Sequence, residues 1–359
     1  MELNKKITPF QFFTLLFLSR VFAMVTYIAG INKELSTTDE IIASVFTGLF
    51  LAVSAIPVVL FLKKDNESGI IKRASCLSES FSKVLCIFYL IEALYFGTIT
   101  AVRFGIFTGS VMFPDTNMGF FIFIMLAASS YIALKGIESA GRSSVIILIP
   151  VLFALIFVFT TQSDDFDLLN FTHPFTDKLT DIISSGFYSA SRTGELAFII
   201  LLTPYVKKLR GRHIYLWVIA VTVLILITEI ILAGVLGRFG GTQLFSMYSL
   251  SVLAESGFIE RLDAIITCIW LLCAALKIAV IIFVSEMLFS SLFKKRRRLL
   301  FIAISCAVIF IGSIPLINNI SGFISLIRSP VHPILFITGI CIMPSVTLFF
   351  EKIKRRKKE

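Results

Sequence analysis

Seven ionisable side chains, Arg20, Glu92, Arg103, Arg192, Glu195, Glu229 and Lys277, stand inside stretches that are otherwise apolar, and Glu286 lies near the end of another. A single charge at the centre of a bilayer costs about 2.5–3.5 kcal/mol even on a lenient insertion scale. Groups held at that depth must face one another or a polar cavity. For any one of them the plainer role is to pair two helices. Together they argue for a polar cavity inside a bundle. Such a set can do recognition chemistry, in which fixed charges orient a ligand and no bond is made or broken.

The sharpest segment is Ser189-Ala190-Ser191-Arg192-Thr193-Gly194-Glu195. Small and hydroxyl residues around a glycine, in the middle of an apolar stretch, suit a broken helix. Backbone freed from helical hydrogen bonds is tolerated at membrane depth only where it lines a cavity or is covered by protein. A half-helix starting there would offer free N–H groups to an anion. The alternative is a small-residue packing face with Arg192 and Glu195 paired one turn apart. The second segment is Ser19-Arg20-Val21-Phe22-Ala23, where an arginine in the first apolar stretch needs a partner. Ser19, Arg20, Ala23, Ser191, Arg192, Gly194 and Glu195 are therefore the candidate ligand-binding residues. Glu92, Arg103 and Lys277 form a candidate intramembrane polar or coupling cluster. Gly105 and Gly109 make a GxxxG, which reads as close helix packing.

Other chemistries find no support. The sequence holds no nucleophile–base constellation and no phosphate loop, so no enzyme and no cofactor are expected. Cys76, Cys86, Cys268, Cys273, Cys306 and Cys341 show no CxxC spacing, and most lie in apolar stretches as small buried hydrophobes. His173, His213 and His332 are far apart, and no metal site is expected. The formal charge of +10 does not point to nucleic acid, because the basic residues sit in short runs between apolar stretches.

The elements that position these groups follow from composition. The chain is 57% hydrophobic and 16% charged, against about 45–50% and about 25% for a soluble domain. The excess of apolar side chains requires lipid as its solvent. With about 20 apolar residues needed per crossing, spans fall near 8–30, 41–62, 82–112, 118–135, 143–161, 182–206, 213–237, 262–290, 299–317 and 332–350. The third and eighth are long, which implies tilt. Lys5 and Lys6 precede the first apolar segment as in a signal peptide, but that segment is too long and lacks a clear cleavage site. It reads as a retained first span. Residues 162–181, with Asp164, Asp165, Asp167, Asp177 and Asp181, read as an external loop with room for a short interfacial helix.

Cytoplasmic loops retain Lys and Arg. With the N-terminus inside, the inner segments hold about 23 basic residues, including Lys63, Lys64, Lys72, Arg73, Lys207, Lys208, Lys294 through Arg298 and the tail from Lys352 to Lys358. The outer segments hold about 5: Lys33, Lys178, Arg238, Arg261 and Arg328. One missed or invented span would scramble every later loop, so the alternation supports an even count with both termini in the cytoplasm.

Several motifs resemble a known family. Ile7-Thr8-Pro9-Phe10-Gln11-Phe12-Phe13 is similar to the I-S/T-P-x-Q-x-F start of the spore-germination permeases. These are the B subunits of germinant receptors, within the amino acid–polyamine–organocation superfamily. Tyr131 through Glu138 resembles the family's Y-x-x-x-K/R-G-x-E. Gly194-Glu195 with Leu202-Thr203-Pro204-Tyr205-Val206-Lys207-Lys208 is similar to its sixth span. Glu260-Arg261-Leu262-Asp263-Ala264, then Trp270 and Lys277, resembles its entry into span eight. The resemblance covers nearly the whole chain, and it rests on the order and spacing of these motifs together.

The resemblance implies an all-α integral membrane protein: a single transmembrane domain over 1–359, about ten spans, and a five-plus-five inverted repeat of the leucine-transporter type. Repeat one would cover about 7–161 and repeat two about 182–350, with spans one and six broken. It implies a B-type receptor subunit in the spore inner membrane that binds a small nutrient, an amino acid, between spans one, three, six and eight. A-type and C-type subunits would be its partners. In such folds a sodium ion often sits between spans one and eight; Lys277 would replace it there and reach freed carbonyls of span one, or else pair with an acid such as Glu92. A stand-alone secondary transporter of amino acids or polyamines is the alternative function. One departure stands out: the family's first span carries small residues near its middle, and this chain has no glycine before Gly30. Either Arg20 fills part of the usual pocket or it selects a more acidic ligand.

Overall fold

The computed structural model describes residues 6–27, 35–64, 68–253, 262–295 and 297–356. Its main helices are α1 (Pro9–Val25), α2 (Thr37–Lys64), α3 (Ile70–Leu77), α4 (Glu79–Phe107), α5 (Met118–Lys135), α6 (Ile137–Thr161), α7 (Leu179–Ser191), α8 (Glu195–Leu202) and α9 (Gly211–Leu236). They are followed by α10 (Ser246–Leu253), α11 (Leu262–Phe293), α12 (Arg298–Ile317), α13 (Ile320–Arg328), α14 (Val331–Phe336) and α15 (Met343–Arg356).

Among the described residues, eight helices are long and apolar enough to cross a membrane. The two expected spans outside that set are one and six. Span one is α1, 17 residues long. Span six is divided into α7, of 13 residues, and α8, of 8. Spans three and eight are long, as their apolar stretches require: α4 runs on through a π-helical turn to Met112, and α11 is 32 residues long. Two faces of the bundle are apolar at once. The interior packs Phe12, Leu51, Tyr89, Trp270 and Ile281, all at most 2% exposed, while Ile146, Phe153 and Ile311 on the outside are each about 70% exposed. Such exterior side chains suit hydrocarbon rather than water.

Local chemistry explains the helix boundaries. Thr8 caps α1: its Oγ1 accepts from the Gln11 N–H at 3.2 Å, and Gln11 Oε1 accepts from the Thr8 N–H at 3.0 Å. Pro9 occupies the first helical position, where no N–H is needed. Between α5 and α6 the chain reverses at Gly136, whose φ of +91° a side chain would strain. The GxxxG packs closely as expected. A Cβ on Gly105 would lie 2.8 Å from Ile122, and one on Gly109 2.5 Å from Met118.

The loops sort to two ends. At one end Ile7 and Val206 pair as an isolated parallel bridge, Arg73 and Lys64 hold Glu351 at 2.6 and 2.7 Å, Lys294 meets Glu79, and Arg298 donates to the Ala133 carbonyl. These are the lysine- and arginine-rich segments. At the other end the acidic loop folds over the start of α2. Asp39 accepts from the N–H groups of Phe175 and Asp177, and Thr37 and Thr38 bond residues 170 and 172. The helix in that loop is a single 3-10 turn, Leu168–Asn170. The Tyr27 end of span one and the motif residues Glu260 and Arg261 border or fall outside the described residues.

Candidate functional site

Span six stops being helical at Arg192, Thr193 and Gly194, within the segment whose composition predicts a break. The interruption is a tight turn: the Thr193 N–H donates to the Ala190 carbonyl and the Ala197 N–H to the Gly194 carbonyl. Gly194 is required by packing. A Cβ there would lie 2.7–2.9 Å from the Phe96 ring of α4. Gly186 in α7 is equally tight, because a Cβ would meet the Ala43 carbonyl of α2 at 2.7 Å.

Glu195 opens α8 and joins three spans. Its Oε1 accepts from Ser19 Oγ of α1 at 2.8 Å and from Lys277 Nζ of α11 at 2.8 Å. Lys277 Nζ also lies 3.4 Å from the Ser19 carbonyl oxygen, so the ammonium touches both an acid and the backbone of span one. The acid is Glu195 rather than Glu92. Glu195 is 1% exposed, so the pair is desolvated. Breaking such a pair by removing one partner costs about 3–5 kcal/mol. The Phe22 ring of α1 lies 5.9 Å from Lys277 Nζ and stacks on Trp270 at 5.2 Å, which Phe104 and Phe107 enclose further.

Three arginines gather beside this pair. Arg20 from α1, Arg103 from α4 and Arg192 from the turn lie within Coulomb range of one another. Arg20 and Ala23 line a cavity of about 790 Å³, mouth included, with Tyr27, Glu40 of α2, Ser189 of α7 and Glu229 of α9. That cavity continues into a wider one through Tyr27, Glu40, Glu229, Leu232 and Ser246, which reaches Ser36, Asp177 and Arg238 at the acidic-loop end.

Several expected positions differ. Arg192 and Glu195 do not pair one turn apart; the turn separates them, and Glu195 points to Ser19 and Lys277 instead. Glu92 does not join the site. It is 1% exposed and faces the backbone of Gly339 in the π-helical part of span ten, with neither carboxylate oxygen bonded among the described residues. The Ser19–Ala23 segment is regular helix, with no break where one was expected in span one, and α1 ends at Val25. Ser191 donates to the Tyr188 carbonyl of its own helix. The cavity walls from α2 and α9 were not expected. Glu229 was visible as an intramembrane acid, whereas Glu40 sits at the mouth of its helix and Tyr27 inside an apolar run, where neither is conspicuous. Among the described residues no group of three or more His, Cys, Asp or Glu side chains could hold a metal.

Comparison with known proteins supplies the context. The sequence profile described as spore germination protein matches residues 6–321. The putative spore germination protein YfkT of Bacillus subtilis (strain 168) is 25% identical over 226 residues, 61% of this chain and 61% of that protein, less than two thirds of the relative's own length. The crystal structure of MhsT in complex with L-phenylalanine has the same fold, with a TM-score of 0.60 at 14% identity over 97% of this chain and 99% of that one. The fold is of the leucine-transporter type, and the matched family is one of permeases, not of enzymes.

Proposed function

The chain belongs to the spore permease family of spore germination proteins, and from that premise we propose that it is the B-type membrane subunit of a germinant receptor. In this reading it binds a small nutrient, an amino acid, beside the broken span six. A single observation carries the proposal: Glu195, on the first turn after the break, is held by Ser19 of span one and Lys277 of span eight. In this reading a ligand in the cavity lies beside Arg20, the neighbour of Ser19, and so next to a place where three spans share a charged contact. A ligand that favours one arrangement of these spans shifts the population toward it. A-type and C-type subunits then read the change. The reading places the basic end in the cytoplasm with both termini and the acidic end outward in the spore inner membrane. It treats 7–161 and 182–350 as the two repeats of one domain. MhsT holds L-phenylalanine, which supports an amino acid as the ligand class.

The leucine-transporter fold favours a second reading, a stand-alone secondary transporter of amino acids or polyamines. Substrate flux into liposomes containing this chain alone would select it over the receptor.

The test of the first reading is nutrient binding to the purified chain, with and without sodium. In this reading the Lys277 ammonium, which reaches the Ser19 carbonyl and Glu195, takes the place of a cation between spans one and eight, so binding should not depend on sodium. Glu195→Gln should weaken nutrient binding by about tenfold or more while folded protein is still recovered. Strong sodium dependence, or loss of folded protein with unchanged affinity in what remains, would contradict the reading.

A further inference from the structure

Arg20 and Glu229 face one cavity from different spans and do not pair. Arg20 comes from α1 and Glu229 from α9, and both line the inner cavity. Among the described residues neither makes a hydrogen bond or an ion pair, and Nε of Arg20 is buried without a partner. Glu195 lies within Coulomb range of Arg20, but its Oε1 is committed to Ser19 and Lys277. Glu40 shares the cavity and has a contact of its own. One cation and one anion are therefore left facing the same space.

A lone charge at membrane depth is costly. A ligand that carries both a carboxylate and an ammonium matches the two charges together and, being neutral overall, adds no net charge to the bundle. A ligand with only one of these groups leaves either the guanidinium or the Glu229 carboxylate unmatched. The guanidinium fork fits a carboxylate, and an ammonium brings three donors to acceptor oxygens. Beside Glu229, Thr228 gives its hydroxyl hydrogen to the Leu224 carbonyl at 2.8 Å, which leaves the hydroxyl oxygen to accept. The two charged groups also sit at different points of the path. Glu229 lines both the inner and the wider cavity, whereas Arg20 lines the inner one.

We propose that Arg20 and Glu229 read the two charged ends of a zwitterionic amino acid, its carboxylate inward on Arg20 and its ammonium toward the mouth on Glu229. This rests on the reading of the cavity as a nutrient site and adds the recognising residues and the direction in which the ligand lies. The ligand carboxylate then sits on the neighbour of Ser19, the residue that bonds Glu195.

Crossed affinity ratios on the purified full chain test it. The twenty standard L-amino acids are offered singly. The tightest is then compared with two analogues of the same side chain, the amine without the carboxylate and the acid without the ammonium. Each analogue should bind at least about tenfold more weakly, the loss of one charge-assisted contact being of that size. Arg20→Gln should shrink the ratio of amino acid to amine and spare the ratio of amino acid to acid; Glu229→Gln should do the reverse. Arg20→Lys and Glu229→Asp, which keep each charge but move it, should shrink the same ratios to a lesser degree. Ratios measured within one variant are insensitive to a general loss of folded protein. Analogues that bind as tightly as the amino acid, or ratios that no variant changes selectively, would overturn the assignment to Arg20 and Glu229 and leave the nutrient site standing. Failure of every amino acid to bind would overturn both.

Discussion

Glu92 and Glu195 are both 1% exposed, yet their surroundings are opposite. Glu195 is bonded by a hydroxyl and an ammonium; among the described residues neither oxygen of Glu92 has a bonded partner. A buried carboxylate with no partner contributes no pair to stability, and its ionised form is a liability. Glu92→Gln should therefore leave thermal stability in detergent unchanged or higher, whereas removal of the acid at Glu195 removes a contact worth about 3–5 kcal/mol when one side is lost. Equal destabilisation by both changes would contradict this contrast. At this scale the sequence reveals that charges are present but not how they pair. An arginine or glutamate inside an apolar run announces that it needs a partner. Ser19 and Glu195 are 176 residues apart, and no local pattern links them. The visible local spacing, Arg192 to Glu195, suggests a pair that the turn between them prevents.

The break in span six shows what is legible at the scale of the element. Small residues around Gly194 mark a place where a helix is easily interrupted, and the interruption falls on Arg192–Gly194. The partner that makes glycine necessary, the Phe96 ring, lies on another span and leaves no mark on the local sequence. Gly194→Ala would force a methyl to within 2.7 Å of that ring. It should destabilise the fold by about 1–3 kcal/mol, as overpacking does. Phe96→Leu in the same chain should recover part of the loss, measured by a double-mutant cycle on thermal unfolding. Gly186→Ala should show no comparable rescue by trimming a neighbour, since the nearest atom is the backbone oxygen of Ala43 at 2.7 Å. Recovery of equal size at both positions would contradict this packing account. The opening Thr8-Pro9-Phe10-Gln11 motif is more fully legible, because a capping box is built from residues adjacent in sequence. That Ile7 also bonds Tyr205 and Lys207, joining two of the motifs behind the family resemblance, appears only in three dimensions.

Over the whole molecule, hydropathy and charge read best, since each span and loop adds to one alternating pattern. The basic segments meet at one end of the bundle and the acidic loop closes the other, where the cavity opens. The cavity walls from α2 and α9 are the part that the pattern hides, because a wall is assembled from single residues on many helices. The central claim is that a nutrient enters from the acidic end and settles beside the broken span six. Ala23 lines the cavity next to Arg20, so it can report occupancy. With the native cysteines replaced, Ala23→Cys should react with a membrane-impermeant maleimide added to the outer face, and a binding amino acid should slow that reaction in proportion to its occupancy. Labelling only from the face that carries Lys294–Arg298, or a labelling rate unchanged by every amino acid offered, would contradict the account.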